Sequence, residues 1–60
     1  MQILQQQIDS AGNIAWALIN TIDILAPADA LVYLQSLAVD GNHYQAEIWD
    51  GNSATIVAWV

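Results

Sequence analysis

Leu4, Ile8, Ala11, Ala15, Leu18, Ile22 and Leu25 recur at alternating steps of four and three residues. That spacing lays seven apolar side chains along one side of an α-helix, the strongest periodic signal in the chain. It predicts a first helix over 4–25, with Gln6, Asp9, Asn13 and Asn20 on the face away from the stripe. Gly12-Asn13 is its weak point, because an interior glycine costs about 1 kcal/mol relative to alanine. The stripe keeps its phase through that point, so the expectation is one continuous helix, bent there. Trp16 departs from the stripe and projects about 120° from its centre.

Pro27 disfavours a helical residue before it, so the first helix should fade between Asp23 and Ala26. Pro27 suits the first position of a new helix, and Asp29 suits its first turn. Ala30, Leu31, Leu34, Leu37 and Ala38 share a face, and Gly41 is a natural stop. A second helix is therefore expected over 27–39, antiparallel to the first. A rival pattern exists, since Asp40-Gly41-Asn42 recurs ten residues later as Asp50-Gly51-Asn52. Two identical turn tripeptides at that spacing suit a β-meander, with 30–39 as its first strand.

The last third of the chain alternates with period two. Tyr44, Ala46, Ile48, Ala54, Ile56, Ala58 and Val60 form the even set. The odd set is His43, Gln45, Glu47, Trp49, Ser53, Thr55, Val57 and Trp59. Two strands around Asp50-Gly51-Asn52 follow, a hairpin. A two-residue loop would put the two even sets on opposite faces. Keeping them together requires a three-residue or bulged turn with Gly51 or Asn52 in the left-handed region. The expected fold is α+β, with two antiparallel helices followed by a carboxy-terminal β-hairpin. The alternative is one long helix packed on a three-stranded antiparallel meander.

The chain has 60 residues, one domain at most, and a domain that small buries only about 60% of its unfolded surface. It contains no cysteine, which excludes a disulfide framework and a cysteine-based zinc site. Yet 57% of its residues are hydrophobic, against roughly 45–50% in an average soluble domain. A small uncrosslinked chain with excess apolar surface associates, so a homo-oligomer or a tight partner is expected. The open edge of the last strand suggests an edge-to-edge dimer.

Six carboxylates stand against no Lys or Arg, for a net charge of −6. A chain without cations cannot neutralise phosphates, which argues against direct nucleic-acid binding and against anionic membranes. A partner with a basic surface is favoured, chiefly through faster encounter. The amino terminus lacks a cationic n-region, and the longest apolar run, 14–19, is far short of the ~20 residues that span a bilayer. A cytoplasmic, soluble protein is the expectation.

Catalytic signatures are missing. His43 has no Ser or Cys nucleophile in a recognisable motif with it. The two Asp-Gly-Asn tripeptides lack the ligand density of a calcium loop and are ordinary turn chemistry. Neither a cofactor nor a metal is expected, and an enzyme is not.

The tryptophans carry the functional expectation. Trp16, Trp49 and Trp59 all fall off the predicted core faces, together with Val57 on the odd face of the hairpin. Asp23 is the acid nearest Trp16, and Glu47 and Asp50 are nearest the hairpin pair. Surface aromatics ringed by carboxylates suit a protein-binding site. The expected function is a small acidic binding module, an inhibitor or decoy on a basic surface of a nucleic-acid-handling protein. Viral anti-defence inhibitors, such as those directed at CRISPR systems, offer an analogy of class alone. The alternative is a self-assembling structural or adaptor subunit whose tryptophans serve homo-oligomerisation.

Overall fold

A computed structural model describes residues 1–23 and 26–60. The elements are β1 (Gln2–Ile8), β2 (Ile14–Thr21), α1 (Pro27–Leu37), a 3₁₀ turn (Ala38–Asp40), β3 (Tyr44–Asp50) and β4 (Ser53–Trp59). The four strands form one sheet in the order β2-β1-β3-β4, and every neighbouring pair is antiparallel.

The expected first helix is a β-hairpin instead, which corrects both the two-helix arrangement and the long-helix alternative. Leu4 and Leu18, members of the supposed stripe, are cross-strand partners. Ala11 lies in the turn between the strands. Leu25 lies outside the described residues. Two physical effects override the 3.5-residue period. The segment holds Ile3, Ile8, Ile14, Ile19 and Ile22, and isoleucine fits a pleated surface better than a helix. And Asp9 organises the intervening turn, where its Oδ1 accepts the backbone N–H groups of Ala11 and Asn13, each at 2.9 Å. Gly12 follows at φ +83°, a conformation only glycine adopts readily.

The second predicted helix is present. Pro27 occupies its first turn, and Gly41, at φ +86°, closes the 3₁₀ extension. Ala30 and Leu34 are fully buried, and Leu37 and Ala38 pack at the edge of the core. The helix lies against β3 and β4 on one face of the sheet. Beneath it Ile3, Ala46 and Ala58 form a row across β1, β3 and β4. Tyr44 completes the core. Ile3 and Leu34 are the largest side chains that are fully buried.

The carboxy-terminal hairpin is also present, with a different register from the one predicted. Asp50 pairs with Ser53, so Gly51-Asn52 forms a two-residue loop with Gly51 at φ +63°. That left-handed first position is what a primed hairpin turn needs. The bulge lies farther on: Ala46 pairs with Ala58 but Glu47 with Ile56, leaving Val57 as the extra residue. The even set is therefore split. Tyr44, Ala46, Ile48 and Ala58 share the helix side, whereas Ala54 and Ile56 lie opposite, paired with Trp49 and Glu47. A matching shift in β2 leaves Ile19 unpaired between Leu18 and Asn20. Both edge strands are thus bulged, a device that twists an edge away from further pairing. Among the described residues no helix is long and apolar enough to cross a membrane.

Candidate functional site

Residues opposite each other in neighbouring strands share a face of the sheet. The ladders therefore fix what lies on the side away from α1. There β2 contributes Ile14, Trp16 and Leu18, and β1 contributes Leu4, Gln6 and Ile8. Gln45, Glu47 and Trp49 come from β3, and Ala54, Ile56 and Trp59 from β4. None of the described elements covers this face. Trp16 is 38%, Trp49 51% and Trp59 70% exposed, and Ile8, Ile14, Leu18 and Ile56 are exposed beside them. Exposed apolar side chains thus gather on this face around Gln6, Gln45 and Glu47 of the two central strands. The molecule is a slab of 34 × 29 × 14 Å, and its broad face is large enough for the ~800 Å² per partner of a standard interface.

The three tryptophans lie together on one face, although the helix argued for Trp16 does not exist. They divide between the two ends. Trp16 and Trp59 line a cleft of ≈ 440 Å³ with Gln6, Gln45 and His43. Trp49 stands at the other end, where its indole Nε1–H donates to Glu47 Oε1 at 2.8 Å. Glu47 is buried among its neighbours at 8% exposure. That contact fixes the indole's orientation, and Glu47 is the one carboxylate among the described strand residues of the open face.

The remaining acids ring the sheet. Asp9 and Asp40 sit in the turns at the Trp16–Trp59 end, and Asp23 and Asp50, both exposed, sit at the Trp49 end. Asp29 is in the first turn of α1. Val57 lies apart from Trp16 and Trp49. Its bulge places it half-buried at a groove of ≈ 310 Å³ that it lines with Trp59 and with Pro27, Ala28 and Leu31 of the helix.

Two carboxyls are held below the ordinary value. The backbone N–H of Asn13 is the chief cause for Asp9, aided by the Asn13 side chain and by Ala11 and Gly12. For Asp40 the Tyr44 hydroxyl comes first and the Asn42 backbone N–H second. Both carboxylates are occupied in holding turns. His43 lies within 3.2 Å of the Val60 carbonyl through Nδ1.

Sequence reasoning missed Leu4, Ile8, Ile14, Leu18 and Ile56 as members of this face. Alternation at even positions, Leu4-Gln6-Ile8 and Ile14-Trp16-Leu18, would have found the first four. So would reading 9–13, Asp-Ser-Ala-Gly-Asn, as a turn. What the fold and face define is a small ββαββ protein with one side of its sheet uncovered. No family model, curated protein or solved structure matches this chain.

Proposed function

We propose that the chain is a small acidic protein-binding module that docks through the open face of its sheet. Its partner presents a surface that is apolar at the centre and basic around it. One observation carries the reading: all three tryptophans stand exposed on the uncovered face of a chain with six acids and no Lys or Arg. An apolar centre with a charged rim is the ordinary anatomy of an interface. Proteins that handle nucleic acid carry basic surfaces for neutralising phosphates, so they are the favoured class of partner. Seated on such a surface, the module acts as an inhibitor or decoy, and its setting is the cytoplasm. The reading assigns it no catalytic role.

The test uses the immobilised protein and a variant with Trp16, Trp49 and Trp59 all changed to alanine. Proteins retained by the first, lost by the second, released by salt and basic at their binding surface support the reading. Identical retention by both overturns it.

Self-assembly is the second reading, favoured by the lack of charge in both edge strands, IAWALINT and SATIVAW. Salt separates the two. Association with a basic partner weakens as salt rises, whereas two copies at −6 each associate more tightly when their repulsion is screened. Sedimentation equilibrium at low and high salt reads the difference. A mass near 6.5 kDa at micromolar concentration in both removes self-assembly.

A further inference from the structure

The cleft between Trp16 and Trp59 has a more specific chemistry than the rest of the open face. Trp16 on β2 lies opposite Gln6 of β1, and Trp59 on β4 lies opposite Gln45 of β3. The two tryptophan strands are the outermost of the four. Three inter-strand steps separate their backbones, about 14 Å. The indoles therefore flank the two glutamine amides rather than stacking on each other's strand. Ile56 and Val60 add apolar wall, and His43 lines the same cleft.

We infer that this cleft receives the guanidinium of a partner's arginine, an inference that rests on the protein-binding reading above. Each feature favours that group. The faces of two indoles attract a cation, and a flat one stacks on them. The amide oxygens of Gln6 and Gln45 accept N–H donors. Ile56 and Val60 take the methylenes of the arginine stem. Guanidinium is more weakly hydrated than ammonium, so it loses less on entering a half-dry cleft than a lysine would. The charge agrees: the chain carries −6, and Asp9 and Asp40 stand at the cleft's end of the sheet. A second copy cannot supply the group, because the chain contains no Lys or Arg.

The test is a titration with a blocked Gly-Arg-Gly peptide, alongside its lysine and citrulline analogues, read by the NMR signals of the indole N–H groups. The arginine peptide is expected to move the Trp16 and Trp59 signals and leave that of Trp49 nearly still. The lysine analogue should bind at least threefold more weakly, and citrulline, which has the shape without the charge, should not bind measurably. Trp59→Ala keeps both the net charge and, at an exposed edge position, the fold, so it separates the cleft from unspecific attraction to an acidic protein. It should weaken the arginine peptide at least tenfold with an unchanged circular dichroism spectrum. Equal binding of the three peptides, equal movement of all three indoles, or undiminished binding by Trp59→Ala overturns the inference. A salt-sensitive, tryptophan-dependent partner with no response to the peptide leaves the module standing without an arginine site. A peptide response in a protein that retains no partner leaves the site without the module.

Discussion

The Tyr44 hydroxyl donates to the Asp40 carboxylate across the turn that carries the chain from α1 into β3, and Gln5 Nε2 donates to the same hydroxyl at 3.2 Å. Tyr44 is nearly buried, whereas Asp40 is exposed. One side chain therefore ties the core to a surface turn and to the middle of β1.

That tie makes stability depend on acid. Tyr44 is the first cause of Asp40's lowered pKa, measured from an ordinary value of 3.8. A carboxyl with a depressed folded value stabilises the fold fully above the unfolded value, and loses that contribution as pH falls through the folded one. Tyr44→Phe should thus lower the melting temperature near neutrality, and flatten its decline as pH falls below the ordinary carboxyl value of 3.8. Circular dichroism melts across that range compare the two proteins. Parallel curves would show that the contact contributes nothing.

Gly12 separates hairpin from helix by the sign of one substitution. In a helix over 4–25, Gly12→Ala would stabilise by about 1 kcal/mol. At φ +83° with open space around it, alanine meets no clash but takes a left-handed backbone, which costs about 1–2 kcal/mol. Gly12→Asn should cost less, since asparagine tolerates that region. Chemical denaturation measures both, and a stabilising Gly12→Ala would contradict the hairpin.

The same residue shows where the sequence was legible. Pro27, Asp29, the Leu34 face and Gly41 each favoured one element, and that helix was readable. Alternation from Tyr44 onward made the second hairpin readable as well. In 1–23 two periods coincided. Leu4, Ile8, Leu18 and Ile22 satisfy both a helical stripe and a period of two, so only the turn could decide between them. Asp9 decides it through hydrogen bonds to residues two and four positions on, a local competition with helix that apolar spacing does not report. The Val57 bulge was harder still. Loop length and bulge position compensate each other, so the pairing of Ala46 with Ala58 was correctly placed on one face while Ile56 was not. Trp16, off the stripe in a helix, shares the open face with the stripe's Leu4, Ile8 and Leu18 in the hairpin, so its place on one face with Trp49 and Trp59 follows from strand pairing and not from the helical argument.

Face assignment in β4 yields a contrast between neighbours. Ala58 is buried under α1, and Ile56 is exposed on the open side. Ala58→Asp places an unpaired charge in the core and should unfold a domain this small. Ile56→Asp should leave the melting temperature within a few degrees of the parent. Loss of structure in both would return Ile56 to the core.

The core itself is thin enough to make a quantitative expectation. Leu34 and Ile3 are its largest fully buried side chains. Leu34→Ala should cost about 2–5 kcal/mol, comparable with the whole stability of many small domains. Val39, 88% exposed, should tolerate alanine with a change under about 0.5 kcal/mol. Urea denaturation distinguishes these, and equal effects would mean that α1 does not seat as described.

Trp49 and Glu47 allow the proposed binding surface to be dissected by kinetics. The indole N–H is held by the Glu47 carboxylate, so Glu47 both orients an anchor and supplies charge. Asp23 and Asp50 lie exposed at the same end of the sheet and supply charge alone. Asp23→Asn with Asp50→Asn should slow association with a basic partner and flatten its salt dependence, leaving dissociation nearly unchanged. Glu47→Ala should in addition speed dissociation, because the freed indole must be ordered again on binding. Trp49→Ala should cost about 2 kcal/mol or more of partner affinity while the free protein still melts as a folded domain. Surface plasmon resonance with a partner from the retention experiment gives both rates. If Trp49→Ala melts the free protein and leaves affinity per folded molecule intact, Trp49 supports the sheet and this end of the face binds nothing.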